Sequence, residues 1–166
     1  MPIVSKPAHN QPYIEPPATA RRLAEIKVLL ETIRSLEVEP SLKKRMLVHG
    51  IWEVAKATGD FHGRFRSERV IRTPGLRIQR DHIHKKSALV GEVPRPSPDL
   101  DSIIDRARCC IVAADEHQKL HGIDSDLDGW ERYRVAGVIV YDMWDGTCLT
   151  GSKDCIEISQ LDDAFA

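Results

Sequence analysis

The stretch that most constrains the fold is residues 109–121 of the 166-residue chain. Its first five residues, Cys-Cys-Ile-Val-Ala, are a compact apolar run that predicts a short strand. The polar residues that follow predict a helix that Gly122 ends. His117 and His121 are four residues apart in this helix, so their side chains share one face. The segment therefore predicts a strand that leads directly into a helix with two imidazoles on one side.

A second stretch, residues 80–86, sets a carboxylate beside an imidazole inside a run of positive charge. If Asp81 and His82 lie in extended backbone, their side chains point to opposite sides. Asp81 would then ligate a metal ion, and His82, which titrates near neutral pH, would face the substrate water as a general base. His117 would be the metal ligand from the helix, and His121 a second ligand or a phosphate contact.

Positive charge is concentrated in residues 61–90, although the whole chain has a formal net charge of −1. The segment holds eight Lys or Arg against two Asp or Glu, which makes it +6. Such asymmetry favours a polyanion, DNA or RNA, over a neutral partner. A solvated basic face of a hairpin is the alternative interpretation. The residues predicted to hold the nucleic-acid backbone are Arg72, Arg77, Arg80, Lys85 and Lys86.

A strand ending in Asp-His, then a loop, a second strand and a helix with two spaced His residues resembles the HNH branch of the ββα-metal nucleases. The similarity covers roughly residues 76–122. The resemblance implies that Asp81, His117 and His121 bind a divalent metal ion and that His82 activates water. It also implies metal-dependent hydrolysis of phosphodiester bonds in DNA or RNA. The candidate ions are Mg²⁺, Mn²⁺, Ni²⁺ and Zn²⁺. The imidazoles favour Mn²⁺, Ni²⁺ or Zn²⁺ over Ca²⁺.

The chain departs from the HNH pattern at several points. The family's central Asn, just before the second strand, has no counterpart in residues 98–108. The common proline after Asp-His is replaced by Lys85, and Cys-x-x-Cys zinc knuckles are absent. These departures favour an alternative, a non-catalytic nucleic-acid- or protein-binding regulator or inhibitor of phage or mobile-element type. A third hypothesis is an interaction protein that binds a protein partner through its N-terminal helices.

The single parts of this pattern also have structural interpretations. An Asp-His pair occurs in many proteins in solvated or packed positions, and two spaced His residues are more often an ordinary helix face than a metal site. Four aromatic side chains are predicted to lie in the core rather than to form a base-stacking platform, namely Trp130, Tyr133, Tyr141 and Trp144.

Residues 19–60 predict a helical hairpin. Apolar residues recur at helical spacing from Leu23 to Leu36 and again from Leu42 to Ala55. The sequence Glu-Pro-Ser at residues 39–41 ends the first helix and caps the second, and Gly59 is a C′ residue after the second. The two helices are therefore expected to pack antiparallel.

The chain as a whole predicts an α+β fold, with the N-terminal helical hairpin packed on a small mixed β-sheet that includes a ββα-metal-like unit. Residues 1–18, with five prolines, are expected to be an extended arm, disordered or laid across the surface. The hairpin spans residues 19–60, an HNH-like α+β core spans residues 61–155, and an acidic tail spans residues 156–166.

Shorter elements are predicted within the core. Residues 61–80 contain a loop and then a β-hairpin or two short strands, and residues 87–98 form a loop. Asp99 or Ser102 caps a short helix through Ala107. Residues 129–134 form a helical turn or short helix, and residues 135–141 form a strand.

Cysteine usage and hydropathy bear on the location of the protein. Of the four cysteines, Cys109 and Cys110 are adjacent, and no Cys-x-x-Cys occurs. Reduced thiols are expected and favour a cytoplasmic protein, with a Cys148–Cys155 bridge as the alternative. The N-terminus has no apolar signal-peptide core, and no segment is long enough to span a membrane, so no membrane partner is expected.

Overall fold

The computed structural model describes residues 9–123 and 126–151, which form seven α-helices and four β-strands. The helices are α1 (Thr19–Ser35), α2 (Pro40–Ala57), α3 (Glu68–Arg72), α4 (Lys86–Glu92), α5 (Leu100–Arg106), α6 (Ala114–His121) and α7 (Gly129–Val135). The strands are β1 (Phe65–Ser67), β2 (Ile78–His82), β3 (Cys109–Ala113) and β4 (Val140–Asp142). The fold is α+β, as predicted.

The four strands form one mixed sheet in the order β2-β3-β1-β4. Strand β1 pairs parallel with β3 and antiparallel with β4. The amide of Ala114, just after β3, donates to the carbonyl of Arg77, just before β2, over 2.9 Å. All five residues of β3 are buried, as expected of an apolar run whose side chains are covered on both faces of the sheet. The predicted strand at residues 109–113 is confirmed.

The described residues pack as two units. The sheet unit comprises residues 9–14, 61–81, 110–123 and 126–151, with most of the sheet and helices α3, α6 and α7. The helical unit comprises residues 15–60 and 82–109, with helices α1, α2, α4 and α5. The division of the chain into an arm, a hairpin, a core and a tail stays a prediction. The packing of the hairpin on the sheet also stays a prediction.

An aliphatic core holds the helical unit together. Helix α1 contributes Ile26, Leu30 and Ile33, which recur every three or four residues and so lie on one face. Side chains from α2, α4 and α5 complete this core, among them Leu47, Ile51, Val54, Leu89, Val90, Ile103 and Ile104. Burying each such side chain contributes roughly 1.5–3 kcal/mol. The predicted helical hairpin is confirmed, because α1 and α2 pack together through this face.

The ends of α2 follow from local chemistry. The carboxylate of Glu39 accepts from the backbone amides of Ser41 and Leu42, which would otherwise have no intrahelical partner. Pro40 occupies the first helical position, where its missing amide is harmless. Gly59 follows the helix with φ of 112°, as predicted for a C′ glycine.

Two short helices were not predicted. Helix α3 lies between β1 and β2, where a loop and a hairpin were expected. Its N-cap is Ser67, whose hydroxyl accepts from the Val70 amide. Helix α4 replaces the first half of the predicted loop at residues 87–98, because Leu89 and Val90 turn into the helical core. Glycines and prolines near these segments had favoured loops. The predicted cap at Asp99 is confirmed, since its carboxylate accepts from the Ser102 amide.

The strand predicted for residues 135–141 is shorter than expected. Helix α7 continues to Val135, and Gly137, with φ of 68°, turns the chain before β4 begins at Val140. Tyr133 and Tyr141 are fully buried, as predicted, but Trp144 is 59% exposed, so the core prediction is wrong for this residue.

Part of the N-terminal arm is packed into the sheet unit. Tyr13 is buried, its amide donates to the Met143 carbonyl over 2.7 Å, and its side chain packs with Ile71 and Tyr141. The arm is therefore anchored at Tyr13. Residues 1–8 and the predicted acidic tail lie outside the described residues.

Cys109 and Cys110 are buried free thiols, but Cys148 is disulfide-bonded. The expectation of reduced thiols is therefore wrong for Cys148, and the thiols no longer favour a cytoplasmic location. Cys155, the partner considered from the sequence, lies outside the described residues. Within those residues, every helix is too short or too polar to cross a bilayer.

Candidate metal centre

The candidate site is built around Asp81, the fourth residue of β2, whose side chain is buried in the sheet unit. A buried carboxylate needs hydrogen-bond donors to replace lost water. Helix α7 provides two of them: the guanidinium of Arg132 and the hydroxyl of Tyr133 both donate to Oδ2 of Asp81. One oxygen of the carboxylate is thus held by two adjacent residues.

The other oxygen of Asp81 lies near the histidines of α6. Oδ1 is 3.7 Å from Nε2 of His117, and Nε2 of His117 is 3.2 Å from Nε2 of His121. One ligand atom from each of Asp81, His117 and His121 lies within 4.8 Å of the other two. His117 is partly exposed and His121 is exposed, so the three side chains are open to solvent on the side of α6. The structure brings together the three predicted metal ligands.

Glu116 fixes the start of α6. Its carboxylate accepts from the Ala113 amide at 2.9 Å and from the Ser67 hydroxyl at 2.6 Å, and the side chain is buried. The first bond satisfies an amide at the helix start, and the second ties α6 to β1. Glu116 therefore serves the helix that presents His117 and His121 one turn apart.

The donor set fits a divalent ion. Tetrahedral coordination with bonds near 2.1 Å places ligand atoms about 3.4 Å apart. The separations of 3.2 and 3.7 Å at His117 bracket that value. Two imidazoles and one carboxylate suit Zn²⁺ and neighbouring transition ions better than ions that require oxygen ligands.

Electrostatics favour the ligand form of His117. Burial lowers the pKa of His117, and the positive groups of His121 and Arg132 act in the same direction, against the opposing effect of Asp81. A neutral imidazole is the species that binds a metal. Burial also raises the pKa of Tyr133 well above its ordinary value, so its hydroxyl stays protonated and remains a donor to Asp81.

His82 has different surroundings. It belongs to the helical unit, where its ring centroid lies 4.4 Å from that of Trp52 and its Nδ1 lies 3.5 Å from Sγ of Cys109. The residue is 9% exposed. The group of ligand atoms around Asp81 does not include His82. Its role as general base stays a prediction for a side chain that is nine-tenths buried.

Four cations of residues 61–90 have structural contacts inside the sheet unit. Arg64 pairs with Asp142, Arg69 with Asp115, and Arg72 with Glu68. Arg66 is buried and donates to four backbone carbonyls, of His9, Gln11, His62 and Gly63. Burial lowers the pKa of Arg66 to about 10, so it remains a cation at neutral pH. These contacts involve four of the eight cations, and two of the charges are neutralised by carboxylates from outside the segment.

The predicted nucleic-acid contacts are spread over both units. In the sheet unit, Arg77 is exposed and the guanidinium of Arg80 lies 4.7 Å from the ring centroid of Phe61. In the helical unit, Lys85 is the N-cap of α4 and Nζ of Lys86 lies 4.8 Å from the ring centroid of Trp52. The fifth residue, Arg72, forms the ion pair with Glu68.

Sequence reasoning missed Arg132 and Tyr133. Tyr133 was expected only as a core residue, and Arg132 was given no role. A carboxylate that is buried requires a cationic partner, so burial of Asp81 would predict a nearby Arg or Lys. Nothing in the residue spacing identifies which arginine this is.

Strands β2 and β3 are neighbours in the sheet, and α6 directly follows β3. The ββα-metal unit and the resemblance to HNH nucleases stay hypotheses. Comparisons of the chain with protein families, with curated proteins and with solved structures find no match. The functional argument therefore rests on the residues of the site.

Proposed function

We propose that this chain is a divalent-metal-dependent phosphodiesterase that acts on DNA or RNA, with Asp81, His117 and His121 as metal ligands. The observation that carries the proposal is the convergence of one ligand atom each from Asp81, His117 and His121 within 4.8 Å. A divalent ion bound there supplies a Lewis acid that polarises a phosphoryl oxygen.

The chain's own residues would bind and orient the substrate. Arg77 is exposed, and its carbonyl accepts from the amide at the start of α6. Its guanidinium therefore belongs to the same part of the sheet unit as the helix that carries His117, and it can bind a phosphate of the backbone. We assign no catalytic step to His82, because its ring is packed against Trp52.

A second candidate is the non-catalytic nucleic-acid- or protein-binding regulator. It is favoured by Arg132, because a guanidinium on Asp81 already compensates the charge that a divalent ion would use. The N-terminal helices support a protein partner for this candidate, since they leave three large apolar side chains exposed, namely Val28, Leu29 and Leu42. A cytoplasmic location remains a prediction from the sequence and carries no weight here.

Calorimetry with Mn²⁺ and Zn²⁺, run beside a plasmid-nicking assay and an RNA-cleavage assay, tests the proposal. The unaltered protein should bind one ion and cleave DNA or RNA. His117→Ala removes one of three ligands and should weaken binding at least about ten-fold. His49→Ala is the matched control, because His49 is an exposed histidine in α2, and it should behave like the unaltered protein. Absence of metal binding by the unaltered protein would refute the metal site, and binding without cleavage of DNA or RNA would favour the regulator.

Nucleic-acid binding is tested by its salt dependence. Each phosphate contact contributes about 0.9 to the slope of log affinity against log salt for duplex DNA. Replacing Arg77 and Arg80 by Ala should therefore lower that slope by about two. Arg45→Ala, at an exposed position of α2, is the control and should leave the slope unchanged. No binding to duplex or single strands at low salt would remove nucleic acid as the partner.

A further inference from the structure

The two oxygens of Asp81 have unequal surroundings. Oδ2 accepts from Arg132 and from Tyr133, the latter over 2.5 Å, whereas Oδ1 is directed at His117. All three members of this carboxylate–guanidinium–phenol group are buried, with Tyr133 fully so. In a buried setting such charge-assisted bonds are short and directional, so the carboxylate has little freedom to rotate.

Helix α7 is itself held firmly in the sheet unit. The ring of Tyr133 packs 5.4 Å from that of Trp130, which in turn packs 5.3 Å from Phe65 of β1. The carbonyl of Tyr133 accepts from the Val138 amide at 2.9 Å, and the Arg134 side chain donates to the Thr150 carbonyl at 2.9 Å. The two donors to Asp81 therefore come from a fixed support.

We propose that Arg132 and Tyr133 are positioning residues that leave Asp81 only Oδ1 for a metal. The site would then select an ion that prefers nitrogen and accepts few ligands, Zn²⁺ or Co²⁺, over Mg²⁺ and Ca²⁺. This inference rests on the metal site of the proposed function. Ca²⁺ takes six to eight oxygen ligands, often both oxygens of a carboxylate, and Mg²⁺ requires an octahedron of oxygens. With Oδ2 held, the residues of this site that the structure describes offer one carboxylate oxygen and two nitrogens.

A purely structural role for the same contacts makes different predictions. If Arg132 and Tyr133 only compensate a buried charge, their replacement changes stability but not the geometry of a bound ion. If they position Asp81, their replacement changes the coordination of the ion as well, because a freed carboxylate can swing away or bind through both oxygens. A spectroscopic readout of the metal separates the two.

The test uses the full-length chain and the variant Tyr133→Phe, which removes one hydroxyl and keeps the ring in the core. Zn²⁺ is titrated by calorimetry, and the visible absorption of bound Co²⁺ reports its coordination, since four-coordinate Co²⁺ absorbs far more strongly than six-coordinate Co²⁺. Tyr133→Phe should weaken Zn²⁺ binding about ten-fold and reduce the Co²⁺ absorption. Tyr141→Phe is the matched control, because Tyr141 is an equally buried tyrosine that packs with Tyr13 and Met143, and it should change neither.

The same measurements can overturn the inference. Unchanged Zn²⁺ affinity and an unchanged Co²⁺ spectrum in Tyr133→Phe would show that the contact is structural. Binding of Mg²⁺ as tight as that of Zn²⁺ by the unaltered protein would refute the selection. Should Tyr133→Phe not fold, Arg132→Lys replaces it, since lysine keeps the charge without the planar fork, and the same two changes are expected. Tight Zn²⁺ binding without cleavage would refute the phosphodiesterase and leave this inference standing.

Discussion

The two units bury different kinds of side chain. The helical unit has an aliphatic core, and its buried polar residues are Thr19, Thr58 and His82. The two threonines donate to helix carbonyls, Thr19 to Ala57 and Thr58 to Val54. The sheet unit buries five charged residues, namely Arg66, Asp81, Glu116, Arg132 and Asp142. Burial of aliphatic side chains stabilises the helical unit and requires no particular partner atoms. Each buried charge in the sheet unit requires a partner in a fixed geometry. The proposed metal ligands Asp81, His117 and His121 all belong to the sheet unit.

The largest expected effect breaks a charge pair in the sheet unit. Arg132→Met leaves the buried carboxylate of Asp81 without its cation, which should lower the free energy of unfolding by about 3–5 kcal/mol. Adding Asp81→Asn removes the charge and keeps an oxygen for the Tyr133 hydroxyl, so the double variant should recover part of that loss. Urea denaturation of the metal-free proteins measures both. A double variant no more stable than Arg132→Met would show that charge is not the cause.

The second prediction concerns the aliphatic core. Leu30→Ala in α1 should lower the free energy of unfolding by about 3 kcal/mol, because it leaves a cavity in a fully buried position. A Cβ at Gly50 of α2 would lie 2.8 Å from Cδ2 of Leu30, so Gly50→Ala places a methyl in the vacated space. The double variant should therefore be more stable than Leu30→Ala alone, by about 1 kcal/mol.

This pair of variants also sharpens the contrast between the units. Zn²⁺ titration of the folded Leu30→Ala protein should match that of the unaltered chain, because none of the proposed metal ligands lies in the helical unit. A loss of metal affinity comparable to that of Tyr133→Phe would contradict the separation of core and site.

The sequence predicted the elements that depend on long, regular patterns. Helices α1 and α2, the buried strand β3 and the cap of Asp99 follow from periodicity, an apolar run and a known capping residue. Helix α3 has only five residues, with Val70 and Ile71 buried side by side, so no helical period is visible. Packing, which a local pattern does not contain, decides its conformation.

The site was predictable only in part, for the same reason. His117 and His121 share a helix face by spacing, and Asp81 stood out beside His82. Arg132 and Tyr133 reach Asp81 across 51 and 52 residues of sequence, so no local signal connects them. The charge count of residues 61–90 does not include Asp115 and Asp142, which pair with arginines of this segment but lie outside it.

The smallest expected effect concerns a histidine beside a buried cation of the sheet unit. The rings of His9 and His62 stack with centroids 5.3 Å apart, and the carbonyl of His9 accepts from Arg66. Burial, followed by the charges of His62 and Arg66, lowers the pKa of His9 below its ordinary value of 6.5. The folded state therefore binds a proton at His9 less readily than the unfolded state does.

The sign of the pH dependence follows. The contribution of neutral His9 to stability is fully present above pH 6.5 and is lost as the pH falls from there through the lower folded pKa. Because His9 is partly exposed, solvent screening keeps the loss below about 1 kcal/mol. Melting temperatures at pH 7.5 and 5.5 measure it, with His9→Gln, which does not titrate, as the matched variant. The unaltered chain should lose more stability between the two pH values than His9→Gln does, since its N-terminal arm then carries a charge beside Arg66. An equal loss of stability in both proteins would assign the pH dependence to groups other than His9. It would also show that protonating His9 beside Arg66 costs no stability.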